Sequence, residues 1–513
     1  MSGHNATEWL LDRHVGAGRG GRTAYRVDGR DTSYAGLQQQ VWRVQHALRA
    51  LDVRRGERVA LVLDDELAMP SWFLGAMRSG AVPVPLSTML TAGELAAIVA
   101  DADAGVLVVS ARYRGHVGTI AGKAPELRHA VVIGSPDGGE PIPTHSWAEF
   151  DDVTEAAIAA TRADSPAFWL YSSGTTGTPK GVMHRHGSLR ATAETYARSI
   201  LEIDADDRCL SVAKLFFAYG LGNSLTFPLS VGASAVLNPQ RPTPAAVIDL
   251  VRGEQPTLFF ASPGFVAALL DAAPPADAFA SVRCTVTAGE ALPADLQRRF
   301  HERFGHPVLD GIGTTEALHI FLSNAKGAER PGTSGKPVPG YETRLVDDAG
   351  NAVIAADTPG YLQVRGPSLA TGYWCRDAAS RAALQGEWLA TGDVYTVSGD
   401  GYWTFLGRNN DMIKAGGIWV SPAEVEAVLV EHPAVLEAAV VGTRDDDGLE
   451  TVVAFLVPRH GSTIDERSIE AHCRERMAAF KRPRRLVVVD ELPKTATGKV
   501  QRFRLRERAG AAA

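Results

Sequence analysis

YSSGTTGTPKG, spanning Tyr171 to Gly181, follows the apolar run Ala167-Phe168-Trp169-Leu170 and packs hydroxyl residues, glycines and one lysine into eleven positions. Glycines let backbone N–H groups turn toward an anion. Ser172, Ser173, Thr175, Thr176 and Thr178 add hydroxyl donors, and Lys180 adds a fixed positive charge. A nucleotide triphosphate is the natural guest of such a loop. It is not a Walker A loop, because Gly174 and Gly177 are too close together and Lys180 is followed by Gly181 instead of Ser or Thr. Taken alone, the stretch is equally compatible with a surface loop between two strands.

Outward from this loop, short β-branched runs alternate with Ala/Leu-rich helical stretches. Arg58 to Leu63, Gly105 to Val109 and Ala130 to Ile133 read as strands, and Ala92 to Ala102 as a helix. This rhythm predicts parallel sheets covered by helices. It returns between Ser188 and Gly311, where a helix over Thr243 to Arg252 precedes the strand-like Thr257 to Phe260. After Pro331, short strands such as Tyr361 to Gly366 and Tyr402 to Leu406 indicate a smaller β subdomain. The polar, turn-prone Gly407-Arg408-Asn409-Asn410-Asp411 marks a boundary, which divides the chain into 1–408 and 409–513. The second part carries a helix over Pro422 to Glu431, strands near Ala438 to Val441 and Thr451 to Val457, and a basic stretch over Lys481 to Arg508.

Bulk properties narrow the function. At 513 residues the chain exceeds one ordinary core, and 45% hydrophobic with 22% charged residues is a globular composition. A net charge of −7 argues against general nucleic-acid or membrane binding. Cys209, Cys284, Cys375 and Cys473 are far apart and lack C-x-x-C spacing, which disfavours both a disulfide framework and a zinc site. The first residues lack the basic start and apolar core of a signal peptide, and a cytoplasmic location is expected. His184 and His186 flank Arg185, but two histidines without a third ligand point to loop or packing roles.

Four further signatures follow the phosphate loop: Thr287-Ala288-Gly289-Glu290-Ala291-Leu292-Pro293, Gly311-Ile312-Gly313-Thr314-Thr315-Glu316, Thr391-Gly392-Asp393 and Pro493-Lys494-Thr495-Ala496-Thr497-Gly498-Lys499. With Gly407-Arg408, this ordered series resembles the adenylate-forming superfamily of acyl-CoA synthetases, adenylation domains and luciferases. Within it, the segments 213–223, 318–324 and 416–422 look like those of benzoate-CoA ligases. The resemblance implies an α/β fold. A large N-terminal domain of two α/β subdomains plus a β subdomain would carry a small mobile C-terminal α/β lid.

It also implies an ATP-dependent acid:CoA ligase that forms AMP through an acyl-adenylate. Transfer to the phosphopantetheine of a carrier protein is the alternative, and a homodimer stays open. By resemblance, Ser172, Thr175, Thr176, Gly177, Thr178 and Lys180 hold the phosphates of ATP. Thr315 meets the α-phosphate and Glu316 a magnesium ion, Mg2+. Gly289, Glu290, Asp310, Gly311 and Ile312 frame adenine, Asp393 with Arg408 takes the ribose, and Lys499 serves adenylation. Ala218, Tyr219, Gly220, Ser262, Gly264, Gly313 and His319 are expected in the acyl pocket. Gly416, Gly417, Lys481 and Arg482 would border the coenzyme A path, and Asn410 the hinge.

Four positions depart from the family pattern. Ile312 replaces an aromatic residue against adenine, and Asn410 replaces the usual Asp or Lys at the hinge. Gly264 and Val266 stand where benzoate-type enzymes usually carry threonine and tyrosine, so a pocket enlarged at both positions is expected, taking an aromatic or bulky cyclic acid.

Overall fold

The computed structural model describes residues 4–136, 138–173, 179–415, 418–444, 450–494 and 500–511. Two parallel sheets dominate the first 340 residues. In one, Arg58–Val62 lies between Val82–Pro85 and Ala104–Ser110, and His129–Ile133 and Thr144–Ser146 continue the sheet in parallel. Its buried strands read as continuous apolar runs because helices cover both faces. The helix Ala92–Asp101 starts with a reciprocal cap. The Thr91 side chain accepts from the Glu94 N–H while the Glu94 carboxylate accepts from the Thr91 N–H.

The second sheet runs in the order Val308–Gly313, Cys284–Thr287, Leu258–Ala261, Arg208–Ser211 and Ser234–Leu237, all in parallel. Beyond Ser234–Leu237 it is extended by Thr23–Val27, which pairs with it in parallel and is followed by antiparallel Arg30–Ser33. Sequence rhythm did not anticipate that contribution from the start of the chain. On the other edge, Ile320–Ser323 adds in antiparallel sense. The expected β subdomain is formed by Glu342–Val346, Gly360–Arg365, Trp388–Val397 and Trp403–Arg408.

Pro166–Ser173 and Pro179–Arg185 pair in antiparallel sense, with Ser172 opposite Lys180. Gly372–Tyr373 joins the same small sheet, with Tyr373 opposite Val182. After the turn Asn409–Asp411, the remaining residues build Pro422–Val430, Val435–Arg444, Glu450–Pro458 and Glu466–Arg476. Two hydrophobic clusters form there, and among the described residues neither contains a residue before Ile413. No helix among the described residues is long and apolar enough to cross a membrane.

Helix packing supplies much of the larger part's core. Tyr34–Ala50 is capped by Ser33, whose hydroxyl accepts from the Gly36 N–H at 3.1 Å. It packs on Ala68–Ser79, where Trp72 and Phe73 are fully buried. The two helices approach at Gly75, where a Cβ would stand 2.6 Å from Val44 Cβ. Gly75→Ala therefore sets helix propensity against packing. Alanine favours the helix by about 1 kcal/mol, whereas overpacking of this kind costs ~1–3 kcal/mol. We expect a lower thermal unfolding midpoint for Gly75→Ala. An unchanged or raised midpoint would show that the helices separate without cost.

Candidate active site

The site residues cluster at the carboxyl ends of neighbouring parallel strands, where loops leave the sheet on one side and create a crevice. Arg208–Ser211 leads into 213–223, Leu258–Ala261 into Ser262, Cys284–Thr287 into Ala288 to Glu290, and Val308–Gly313 into Thr314 to Glu316. Asp310 is buried at this edge. The Thr287 hydroxyl donates to its carboxylate at 2.8 Å, and Asn324 donates to its carbonyl through N and Nδ2 at 2.9 and 3.2 Å. Burial pushes the Asp310 carboxyl up to about 8, against the partial relief of the Thr287 hydroxyl. Gly311 is required by close approach, because a Cβ would meet the Leu322 carbonyl at 2.8 Å. Gly289 is exposed with φ +100°, a left-handed conformation suited to glycine. Glu290 and Ile312 are half-buried, and Ile312 leans on the hydrophobic core as an aliphatic surface.

Lys180, expected to meet the phosphates, has its Nζ 5.3 Å from the centroid of the Tyr373 ring. The Tyr373 hydroxyl donates to Glu316 Oε1 at 2.8 Å, and the Thr314 hydroxyl donates to Oε2. The Glu316 N–H returns a bond to Thr314 Oγ1 at 3.1 Å, which fixes the turn. Burial and the neighbouring Glu316 charge raise the Tyr373 phenol, keeping it a neutral donor. Thr315 presents its carbonyl to His184 Nε2 at 2.8 Å. His184 is buried and stacks on Phe168 with ring centroids 5.1 Å apart. Burial lowers its pKa to about 4, so the ring is neutral. His186 Nδ1 accepts from the Ala6 N–H at 3.1 Å. Both histidines are thus packing residues, and no group of His, Cys, Asp or Glu among the described residues has the geometry of a metal cage.

Magnesium does not need such a cage, since it is usually held by one or two carboxylates together with substrate phosphates. Glu316 fits, because each oxygen accepts one hydrogen bond and retains a further acceptor position. Tyr373 escaped the sequence reading. Its only local signal is the Thr371-Gly372-Tyr373-Trp374 turn, which by itself does not indicate proximity to residue 316.

Asp393, expected to meet the ribose, is buried and lies opposite Arg408 in the strand pair. Arg408 Nε stands 3.0 Å from Asp393 Oδ1, and its NH1 donates to the Thr391 carbonyl at 2.8 Å. The two strands therefore deliver a carboxylate and its guanidinium partner as one unit.

Among the residues expected in the acyl pocket, the Tyr219 hydroxyl donates to the Val286 carbonyl at 3.0 Å, and its ring lies 5.5 Å from that of His319. Ala218 and Tyr219 are half-buried. His319 is buried, with Nε2 3.1 Å from Asn223 Oδ1. Burial lowers its pKa to about 3, so it stays neutral. Gly220 and Gly313 serve close backbone approach, since a Cβ would stand 2.0 Å from the Lys214 carbonyl and 2.5 Å from the His319 carbonyl, respectively. Ser262 caps the helix Pro263–Asp271, accepting from the Phe265 N–H at 3.3 Å. Gly264 is half-buried beside Glu290 and Lys494, where a Cβ would be in ordinary contact with Glu290 Oε2 at 3.6 Å.

Val266 corrects one expectation. It is fully buried in the apolar layer with Phe259 and Leu269, so its side chain packs into the core and contributes no extra pocket space. Of the two departures only Gly264 stands beside Glu290 at the crevice, and the space next to it is bordered by Glu290 and Lys494.

In the C-terminal part, Lys494 Nζ pairs with Glu437 at 2.8 Å and lies 3.8 Å from the Cβ position of Gly264. Lys494 forms an isolated bridge with Val500, so both flanks of 495–499 are held together near the rim. Arg459 reaches Asp271 at 3.6 Å across to the N-terminal part. Lys481 pairs with Glu424, and Arg482 Nε donates to the Met477 carbonyl at 3.0 Å, so their partners here are local. The exposed Asn410 accepts at its carbonyl from Arg506 NH2 at 3.0 Å, beside the Arg506–Asp411 ion pair. Thr175, Thr176, Gly177, Thr178, Gly416, Gly417 and Lys499 lie outside the described residues.

This architecture and its ordered motifs define an AMP-binding enzyme, and the chain belongs to that family. The family's main model, AMP-binding enzyme, matches residues 11–374, and its C-terminal domain model matches residues 424–499. Within the family the likeness is to aromatic-acid ligases. The chain is 46% identical to a benzoate–CoA ligase of Thauera aromatica over 509 residues, covering 98% of this chain and 96% of the relative. Among solved structures, an anthranilate CoA ligase, AuaEII, in complex with anthranoyl-AMP, superimposes with a TM-score of 0.93 at 40% identity over 99% of this chain and 98% of that one. A benzoate CoA ligase from Burkholderia xenovorans LB400 gives 0.90 at 42% identity over 98% and 100%, respectively.

Asp310 gives this site a pH signature. Its pKa of about 8 in the folded protein lies above the ordinary unfolded value of about 3.9. Between those values the folded state holds a proton that the unfolded state has lost. Its contribution to stability therefore decreases as pH rises, by up to about 1.4 kcal/mol per unit. Asp310→Asn removes the titration. Urea unfolding at pH 5, 6, 7 and 8 should show the variant gaining on the wild type with each step, and a constant difference would refute the protonated assignment.

Proposed function

We propose that this chain activates an aromatic carboxylic acid with ATP and passes the acyl group to coenzyme A, releasing AMP. The observation that carries this reading is the juxtaposition, along one strand edge, of the Thr315–Glu316 turn, the Asp310 crevice and the ring-lined Tyr219–His319 region. A carboxylate is a poor electrophile, so its oxygen first attacks the α-phosphorus of ATP, and the bond to pyrophosphate breaks. Charge neutralisation dominates this step. Thr315 and Lys180 orient the phosphates, while Asp393, steadied by Arg408, accepts hydrogen bonds from the ribose. Glu316 would hold magnesium, which when bound neutralises phosphate charge.

The neutral Tyr219 and His319 rings suit the flat body of an aromatic acid. The benzoate and anthranilate ligases supply the substrate class by likeness. In the second step the sulfur of coenzyme A attacks the acyl carbon, and the carbon–oxygen bond to AMP breaks.

We place the division between body and lid at 408/409, with Asn410 in the hinge and Lys499 entering the site from the lid for adenylation. Gly416 and Gly417 would then border the thiol path, with Lys481 and Arg482 at its outer end. The proximity of Lys494 to Gly264 supports a lid posed for adenylation. Rotation would exchange that pose for one that admits the thiol.

Lys499→Ala should lower acid-dependent pyrophosphate release by about 100-fold or more, while thiolysis of supplied acyl-adenylate stays within about threefold. Equal loss of both half-reactions would refute the role. Product masses from benzoate, substituted benzoates and fused-ring acids, with and without coenzyme A, test substrate and acceptor together. An acyl-CoA from the aryl acids is expected. Adenylate that accumulates without transfer to coenzyme A would favour a carrier protein as the acceptor.

A further inference from the structure

We propose that Tyr373 is a positioning residue that registers the metal-binding carboxylate Glu316 against the phosphate-loop cation Lys180, through the hydroxyl and the face of a single ring. The hydroxyl donates to Glu316 Oε1 at 2.8 Å, and Lys180 Nζ stands 5.3 Å from the ring centroid. The inference rests on the adenylate-forming reading of this site and specifies how its metal position is fixed.

Thr314 cannot supply that register alone. It holds the other Glu316 oxygen from within the same short turn, so carboxylate and partner would shift together. Tyr373 belongs to a different element, lying opposite Val182 in the sheet that carries Lys180. Its bond to Glu316 therefore ties the turn to that sheet. A second tie has the same sense, because the Ala370 N–H donates to the Glu316 carbonyl at 2.7 Å.

The tyrosine itself is held from several directions. Its N–H donates to Ser380 Oγ at 2.9 Å. The next residue, Trp374, donates from Nε1 to the Asp101 carbonyl at 3.0 Å and packs on Trp169 with ring centroids 4.7 Å apart. Arg376 closes the segment with an ion pair to Asp101 at 2.6 Å. Gly372, with φ +147° and Ser380 Oγ 3.2 Å from its Cβ position, favours the residue without a side chain immediately before Tyr373. The ring thus enters the site on a fixed mount.

A cation over an aromatic face is attracted to the ring's negative π surface, and a phenol donates to a carboxylate without surrendering its proton. One neutral side chain can therefore keep an ammonium and a carboxylate in register without placing a competing charge between them. Partners that orient a metal ligand typically alter metal affinity by about 10- to 100-fold when removed.

The test uses the full chain with α,β-methylene-ATP and Mn2+ as the spectroscopic probe, titrated by electron paramagnetic resonance. Tyr373→Phe keeps the ring beneath Lys180 and removes the hydroxyl. It should weaken Mn2+ binding about tenfold, with nucleotide affinity in the absence of metal unchanged. Tyr373→Leu should weaken both. In a Glu316→Ala background, Tyr373→Phe should have no further effect on Mn2+, which a general loosening of the fold would not reproduce. Wild-type Mn2+ affinity in Tyr373→Phe, or an undiminished loss in the Glu316→Ala background, would overturn the inference alone. A wild-type protein that binds no Mn2+ with the nucleotide would overturn the inference together with the adenylate-forming reading.

Discussion

The parallel pairing of Leu258–Ala261, Cys284–Thr287 and Val308–Gly313 sets the positions on which the site depends, because parallel strands send their outgoing loops to the same edge. Thr287 lies opposite Asp310 in that ladder, and their side chains complete the backbone register with a hydrogen bond of 2.8 Å. From this edge the chain needs only a few residues to reach Glu290 on one side and the Thr315–Glu316 turn on the other. Sheet register and site geometry are consequently the same constraint viewed at different distances.

The lid obeys a different rule. Its apolar residues close into their own clusters, and its ties to the larger part are largely polar, such as Arg459 with Asp271 and Ser421 with the Leu406 carbonyl. Exposed and half-exposed ion pairs contribute little individually, about 0–1 kcal/mol in the median case. A contact surface of that kind holds one pose without welding it, which is the energetic condition that the proposed reorientation of the C-terminal part would require.

Much of this organisation was legible in local sequence. The Ala/Leu-rich stretch read as a helix over Ala92 to Ala102 is found at Ala92–Asp101, and the β-branched run at Arg58 gives a strand within one residue of its observed end. The Thr-Thr-Glu turn is local chemistry as well. What resisted reading was long-range. Thr23–Val27 finds its partner more than two hundred residues away, and nothing in its own pattern names Ser234–Leu237. Tyr373 meets Glu316 across 57 residues through a side-chain bond that no spacing rule announces. Val266 is different, since helix geometry could have corrected it. Two residues along a helix differ by about 200° in direction, so Gly264 and Val266 on Pro263–Asp271 face nearly opposite ways and cannot both open one cavity.

The glycine at 222 carries a consequence for how such a pocket changes over generations. Its missing Cβ would fall 2.3 Å from His319 Cδ2, so the imidazole occupies the volume that any other residue at 222 would claim. Positions 222 and 319, nearly a hundred residues apart in the chain, therefore share one allotment of space. A larger residue at the first is accessible only after a smaller one at the second, whereas trimming 319 first opens a void that either position can later fill. The order of substitutions, as much as their identity, governs how this part of the scaffold can be remodelled.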